Sequence, residues 1–155
     1  MITNEKTEAA LRLWVVLTRA LRSIEKPLHE QVERHGLSLT EFAVLEVLLH
    51  KGELPMGEIG QRILLTSGST TYVIDKLEER GLLKRRRCTE DRRVLHVDLT
   101  DTGRELVQEV FPEHAELIKT LTEGLSYEEQ LEVTEKLKRL GRFAERYGAI
   151  ERIEL

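Results

Sequence analysis

A mostly apolar stripe recurs at three- and four-residue steps from about Thr7 to Arg34, through Leu11, Val15, Thr18, Leu21 or Arg22, Leu28 and Val32. That spacing predicts a long first helix. Pro27 falls inside it and should bend it, because a mid-helix proline removes one backbone hydrogen bond and crowds the preceding turn. Gly36 ends it. A second helix is expected over Leu37 to Lys51. Ser38-Leu39-Thr40-Glu41 has the form of a capping box, with Leu37 and Phe42 placed as a hydrophobic staple. Ala43, Val44, Val47 and Leu48 supply its apolar face, and Gly52 stops it.

Pro55 and Met56 open a short third helix, roughly Met56 to Leu64, with Ile59 and Ile63 on one side. Thr66 is placed to cap a fourth helix that runs to Arg80, with Gly81 as its stop. There Thr70, Val73, Ile74 and Leu77 share one face. Gly68, Tyr72, Asp75, Lys76 and Glu79 lie opposite.

The period then changes from helical to strand-like. Leu82 to Arg87 and Val94 to Leu99 read as two strands joined by the polar, hairpin-sized link Cys88 to Arg93. Thr100 or Asp101 caps a fifth helix to about Glu123, bent near Pro112 and ended by Gly124. Ser126-Tyr127-Glu128-Glu129 is a second capping box. It opens a sixth helix to Tyr147, striped by Val133, Leu137, Leu140, Ala144 and Tyr147. The fold class predicted is mainly α with a small β-hairpin wing: a winged helix-turn-helix.

Composition narrows the class. The 155 residues are 40% apolar and 34% charged, enough for a core without disulfides or metals. Cys88 is the single cysteine, so no internal disulfide forms. No apolar run approaches the roughly 20 residues of a membrane span, and no signal-peptide pattern opens the chain. A cytoplasmic location is expected. Net charge is −4, yet Lys84 to Arg93 holds six basic residues against two acidic ones. A local basic patch on an acidic body is the mark of contact with a polyanion at one place.

The start of the fourth helix is where that contact is expected. Thr66-Ser67-Gly68-Ser69-Thr70-Thr71-Tyr72 is small, hydroxyl-rich and uncharged. Small residues let a helix enter a major groove about 12 Å wide, and hydroxyls and N-terminal amides bond phosphate oxygens. Tyr72 and Lys76 point outward one turn apart. At the hairpin tip, Arg92 and Arg93 can reach an adjacent minor groove, with Asp91 expected to hold one arginine fork through a bidentate pair.

Plainer roles compete at several positions. Lys84 to Arg87 alone would read as a solvated strand edge. Packing competes at Thr70 and Thr71, and is the expected role of Thr70, which sits on the apolar face. Cys88 sits near arginines that favour a thiolate, but a bystander role is the expected one. His29 and His35 are six apart, about 120° around a helix, so they do not converge on a metal. Trp14 lines a ligand pocket or simply packs, and packing is the expected role. No metal or cofactor is expected, and no phosphate-cradling glycine loop or catalytic motif points to an enzyme.

Leu65 to Leu83, with Asp75-Lys76-Leu77-Glu78 and Arg80-Gly81-Leu82, resembles the recognition helix of the MarR (multiple antibiotic resistance regulator) family. Asp91-Arg92-Arg93 followed by Leu99-Thr100-Asp101-Thr102-Gly103 resembles its wing signature. Thr66 to Glu79 is also similar to the quinone- and catechol-responsive, MhqR-like branch. The resemblance implies a homodimer on palindromic double-stranded DNA, usually repressing, and released by a small phenolic or quinone-type effector. It implies three parts: residues 1–36 as an N-terminal dimerisation helix, 37–100 as the DNA-binding lobe and 101–155 as C-terminal dimerisation helices. Ser67, Ser69, Thr71, Tyr72 and Lys76 match its major-groove positions, and Arg92 and Arg93 its wing-tip positions. The alternative is a winged helix that binds protein instead of DNA, which would need no arginine at the wing tip.

Overall fold

A computed structural model describes residues 4–63 and 67–154, and side chains within them other than those of Ser67 and residues 149–154. The element order is α1 (Glu5–Glu33), α2 (Leu39–Lys51), β1 (Leu54–Pro55), α3 (Met56–Arg62), α4 (Ser67–Glu79), β2 (Leu83–Arg87), β3 (Leu95–Leu99), α5 (Asp101–Thr122) and α6 (Tyr127–Glu154). The expected Thr66 cap lies outside the described residues. The chain forms two compact units, Met1–Ile118 and Lys119–Leu155.

In the first unit, local chemistry sets the helix ends. α1 runs through Pro27 as one helix. It closes with the Leu37 amide donating to the Val32 carbonyl (3.2 Å) and the Gly36 amide to the Glu33 carbonyl (2.9 Å). The same pair of bonds closes α4, from Leu82 to Leu77 (3.0 Å) and from Gly81 to Glu78 (2.9 Å). Both glycines stand at positive φ, 73° and 71°, where a Cβ would be strained. The capping box of α2 is complete: the Glu41 amide donates to Ser38 Oγ (3.0 Å), and the Ser38 amide to Glu41 Oε2 (2.9 Å).

The sheet has the order β1-β3-β2 and is antiparallel throughout. Leu83 faces Leu99 and Arg87 faces Leu95 at the two ends of the β2–β3 pairing. β1 escapes a reading by periodicity because it is two residues long. It pairs Leu54 with Val97 and Pro55 with His96. One core holds these elements together: Val32, Phe42, Leu45, Leu48, Ile59, Ile74, Leu77, Val97, Val107 and Val110 are fully or almost fully buried within it. Each such side chain contributes roughly 1.5–3 kcal/mol by leaving water. Ile74 and Leu77 therefore anchor α4 firmly by one face, leaving its other face outward.

The second unit opens with the turn between α5 and α6. Gln130 Nε2 donates to the Thr122 and Leu125 carbonyls (3.0 and 3.1 Å). Ser126 and Glu129 form the second capping box (2.8 and 3.2 Å). α6 continues to Glu154, seven residues past the predicted end at Tyr147. Its stripe, including Val133, Leu137, Leu140 and Tyr147, is exposed in the single chain, and so is Phe143 beside it.

Candidate nucleic-acid interface

α4 presents what its sequence promises. Thr70 is 3% exposed and faces inward with Ile74 and Leu77. Gly68, Ser69, Thr71, Tyr72 and Lys76 are exposed. Ser67 opens the helix. Lys76 Nζ lies 5.2 Å from the centre of the Tyr72 ring. That cation–π contact between residues four apart holds the two side chains side by side on the outward face.

The hairpin carries the second cluster. The Cys88 amide donates to the Val94 carbonyl (2.9 Å), and the Val94 amide to the Asp91 carbonyl (3.0 Å), so the pairing continues one step past β2 and β3. Asp91 Oδ1 then accepts from both the Arg93 amide (3.0 Å) and Arg93 Nε (3.3 Å). The expected bidentate pair is not formed. One oxygen serves backbone and side chain together, because an aspartate two residues upstream can close a local turn more readily than reach round a guanidinium. The Arg93 side chain is 92% exposed. Arg92 is also exposed, and among the described residues its side chain has no partner.

The basic run on β2 is less free than its composition suggests. Arg85 Nε donates to Glu78 Oε2 (2.9 Å), and its Nη2 bonds Asp75. Arg86 Nη2 donates to Glu53 Oε2 (2.8 Å). Arg87 Nη1 reaches the Arg92 carbonyl at 3.4 Å. The hydrogen bond from Arg86 holds the Glu53 carboxyl below its usual range, and the one Arg85 donates to Glu78 raises Arg85 above its own. Glu53, Arg85 and Arg86 therefore keep their charges in neutral solution. Two of the six cations are ties inside the lobe, facing carboxylates 33 residues away in one case and seven and ten in the other. No local spacing could reveal those ties.

Other predicted sites resolve differently. Trp14 is 64% exposed, so it does not pack within the protomer as expected. It stands among exposed Leu11, Leu13, Val15 and Val16 on α1. His29 is exposed, while His35 Nε2 lies 3.4 Å from Glu113 Oε2. Among the described residues no His, Cys, Asp and Glu cluster has the form of a metal site. Cys88 is half-buried.

A helix anchored by one face, with small residues at the start of the other, joined through a strand to an arginine-tipped hairpin on a β1-β3-β2 sheet, defines a winged helix-turn-helix DNA-binding lobe. The MarR family model matches residues 37–95. The HTH-type transcriptional regulator MhqR of Bacillus subtilis (strain 168) is 48% identical over 141 residues, 91% of this chain and 97% of the relative. The fold is similar to that of AbsC, a MarR family transcriptional regulator from Streptomyces coelicolor (TM-score 0.82, 21% identity, 94% of this chain and 97% of that one). It is also similar to reduced AbfR bound to DNA (TM-score 0.74, 26% identity, 90% and 96%). The chain belongs to the MarR family, and it is a DNA-binding transcriptional regulator rather than a protein-binding winged helix.

Proposed function

We propose that this protein binds palindromic operator DNA as a homodimer and represses from it, until a small effector of phenolic or quinone type releases it. One observation carries the DNA-binding part. The Tyr72–Lys76 face of α4 and the Arg92–Arg93 tip belong to a single packed lobe, and both are exposed. Ser67, Ser69, Thr71, Tyr72 and Lys76 then meet the major groove, and Arg92 and Arg93 the neighbouring minor groove. Two such lobes spaced about 34–36 Å apart read two half-sites one turn apart.

Exposed apolar faces on α1 and α6 support the dimer. The effector class follows the resemblance of α4 to the quinone- and catechol-responsive branch, with Trp14 as an aromatic surface for such a molecule. No described helix is long and apolar enough to cross a membrane, in keeping with a cytoplasmic regulator. The test is binding to a duplex selected by the protein from random-sequence DNA, across salt concentrations. Arg92→Ala, Arg93→Ala and Lys76→Ala should each lower affinity, and each lost phosphate contact should flatten the log–log salt slope by about 0.9. Unchanged affinity and slope in all three variants would reject the interface.

A further inference from the structure

We propose that Arg85 is a positioning residue for DNA binding: it aims the wing by fastening β2 to the recognition helix, and it does not itself touch DNA. Side chains alternate along a strand, so Arg85 shares the inward side of β2 with buried Leu83, while Lys84 and Arg86 point outward. Its side chain is 23% exposed, less than either carboxylate it meets. Nε bonds Glu78 Oε2 (2.9 Å), and Nη2 bonds Asp75 and lies 3.4 Å from Glu78 Oε1. Asp75 and Glu78 are one turn apart on α4, and Asp75 directly precedes Lys76.

A planar guanidinium can hold two carboxylates in one fixed geometry, whereas an ammonium cannot. The fork therefore joins the helix that enters the major groove to the strand that carries the wing tip. It also offsets two negative charges that would otherwise repel phosphate from the recognition helix. Arg86, turned to the other side and bound to Glu53, ties the same strand to the segment before β1. The basic run thus fixes the wing, and the tip arginines make the contact.

This inference rests on the reading that Arg92 and Arg93 reach DNA, and a double-mutant cycle separates the two. Affinity for the selected duplex is measured for Arg85→Gln, for the pair Arg92→Ala and Arg93→Ala, and for all three together. Arg85→Gln should cost about tenfold with the tip intact and under about twofold without it, since coupled sites do not add. Its salt slope should match the wild type, and Arg85→Lys should not rescue. Equal losses in both backgrounds, rescue by lysine, or a slope flattened by about 0.9 would overturn the proposal. Additive losses with an effective tip pair overturn it alone, whereas a tip pair without effect overturns the tip reading as well. Glu78→Gln, which leaves the Asp75 contact, gives the same cycle at smaller amplitude if Arg85→Gln fails to fold.

Discussion

Nδ1 of buried His114 lies 2.8 Å from Oε1 of buried Gln31. An amide oxygen only accepts, so the imidazole donates through Nδ1. Gln31 Nε2 faces Glu113 Oε2 at 3.4 Å, and Arg34 and His35 bind the same carboxylate. The His114 ring also packs on Phe42, centroids 4.4 Å apart. The end of α1, the start of α2 and the middle of α5 thus meet at one polar pair within the first unit. Gln31→Ala should destabilise by about 1–3 kcal/mol, because it leaves a buried donor without a partner. Gln31→Leu combined with His114→Phe should recover most of that loss. Urea midpoints decide: a double variant as unstable as Gln31→Ala would show that packing volume, not the pair, is the source.

The burial of His114 makes stability depend on pH. Burial pushes the His114 imidazole below its ordinary value of about 6.5. The unfolded chain takes up that proton at about 6.5, and the folded protein only at lower pH. Stability from neutral His114 is therefore fully present above about 6.5 and is lost as pH falls through the folded value. Glu113 adds a later stage. Hydrogen bonds from His35, Gln31 and Arg34 hold its carboxyl below the usual range, so its contribution fades only in stronger acid. Urea midpoints measured from about pH 4 to 8 should show the first decline in the wild type. The Gln31→Leu, His114→Phe double variant should lack it. A decline of equal size in that variant would assign the effect to another group.

Gly103, in the first turn of α5, stands against the backbone of Leu82: a Cβ there would collide with the Leu82 carbonyl oxygen. That carbonyl already accepts from the Thr100 amide (3.1 Å), while Thr100 Oγ1 donates to the Gly81 carbonyl (2.6 Å) and accepts from the Gly103 amide (3.0 Å). Backbone cannot yield as a flexible side-chain tip can. Gly103→Ala should therefore cost about 3 kcal/mol, at the upper end of overpacking effects. A melting temperature within a degree or two of wild type would mean that α5 shifts freely away from Leu82, contrary to this packing.

Gly103 illustrates what the sequence could and could not reveal. Its place after Leu99-Thr100-Asp101-Thr102 was readable as part of a signature, but the neighbour that forbids a side chain is Leu82, 21 residues earlier. Helix ends were legible because their causes are local. Ser38 with Glu41, Gly36 and Gly81 each act within a few residues of themselves. The outward face of α4 was legible for the same reason, since Thr70, Ile74 and Leu77 repeat at helical spacing. The roles within Lys84–Arg87 were not, because a charge run has the same composition whether its arginines face phosphate or Asp75, Glu78 and Glu53. The exposure of Trp14 was not legible either, because an apolar stripe says that a face will be covered, not by which chain.

That last point yields a test of assembly. Phe143 is 71% exposed and Tyr147 60% exposed on α6, and Leu137 and Leu140 stand beside them. On α1, Leu11 and Trp14 are 61% and 64% exposed. Leaving six large apolar side chains in water forgoes roughly 1.5–3 kcal/mol each when they would otherwise be fully buried, and contiguous apolar faces of this kind mark interfaces. Leu137→Glu with Phe143→Glu places charges in such a face without touching the core around Val97 and Leu77. If a second copy covers it, sedimentation should show the double variant as a monomer where the wild type is a dimer. Its affinity for a full palindromic duplex should fall at least about tenfold toward that for one half-site, because the second lobe no longer binds as part of the same molecule. Thermal unfolding should remain a single cooperative transition. A variant that stays dimeric and keeps wild-type affinity would show that these α6 side chains are not what joins the two copies.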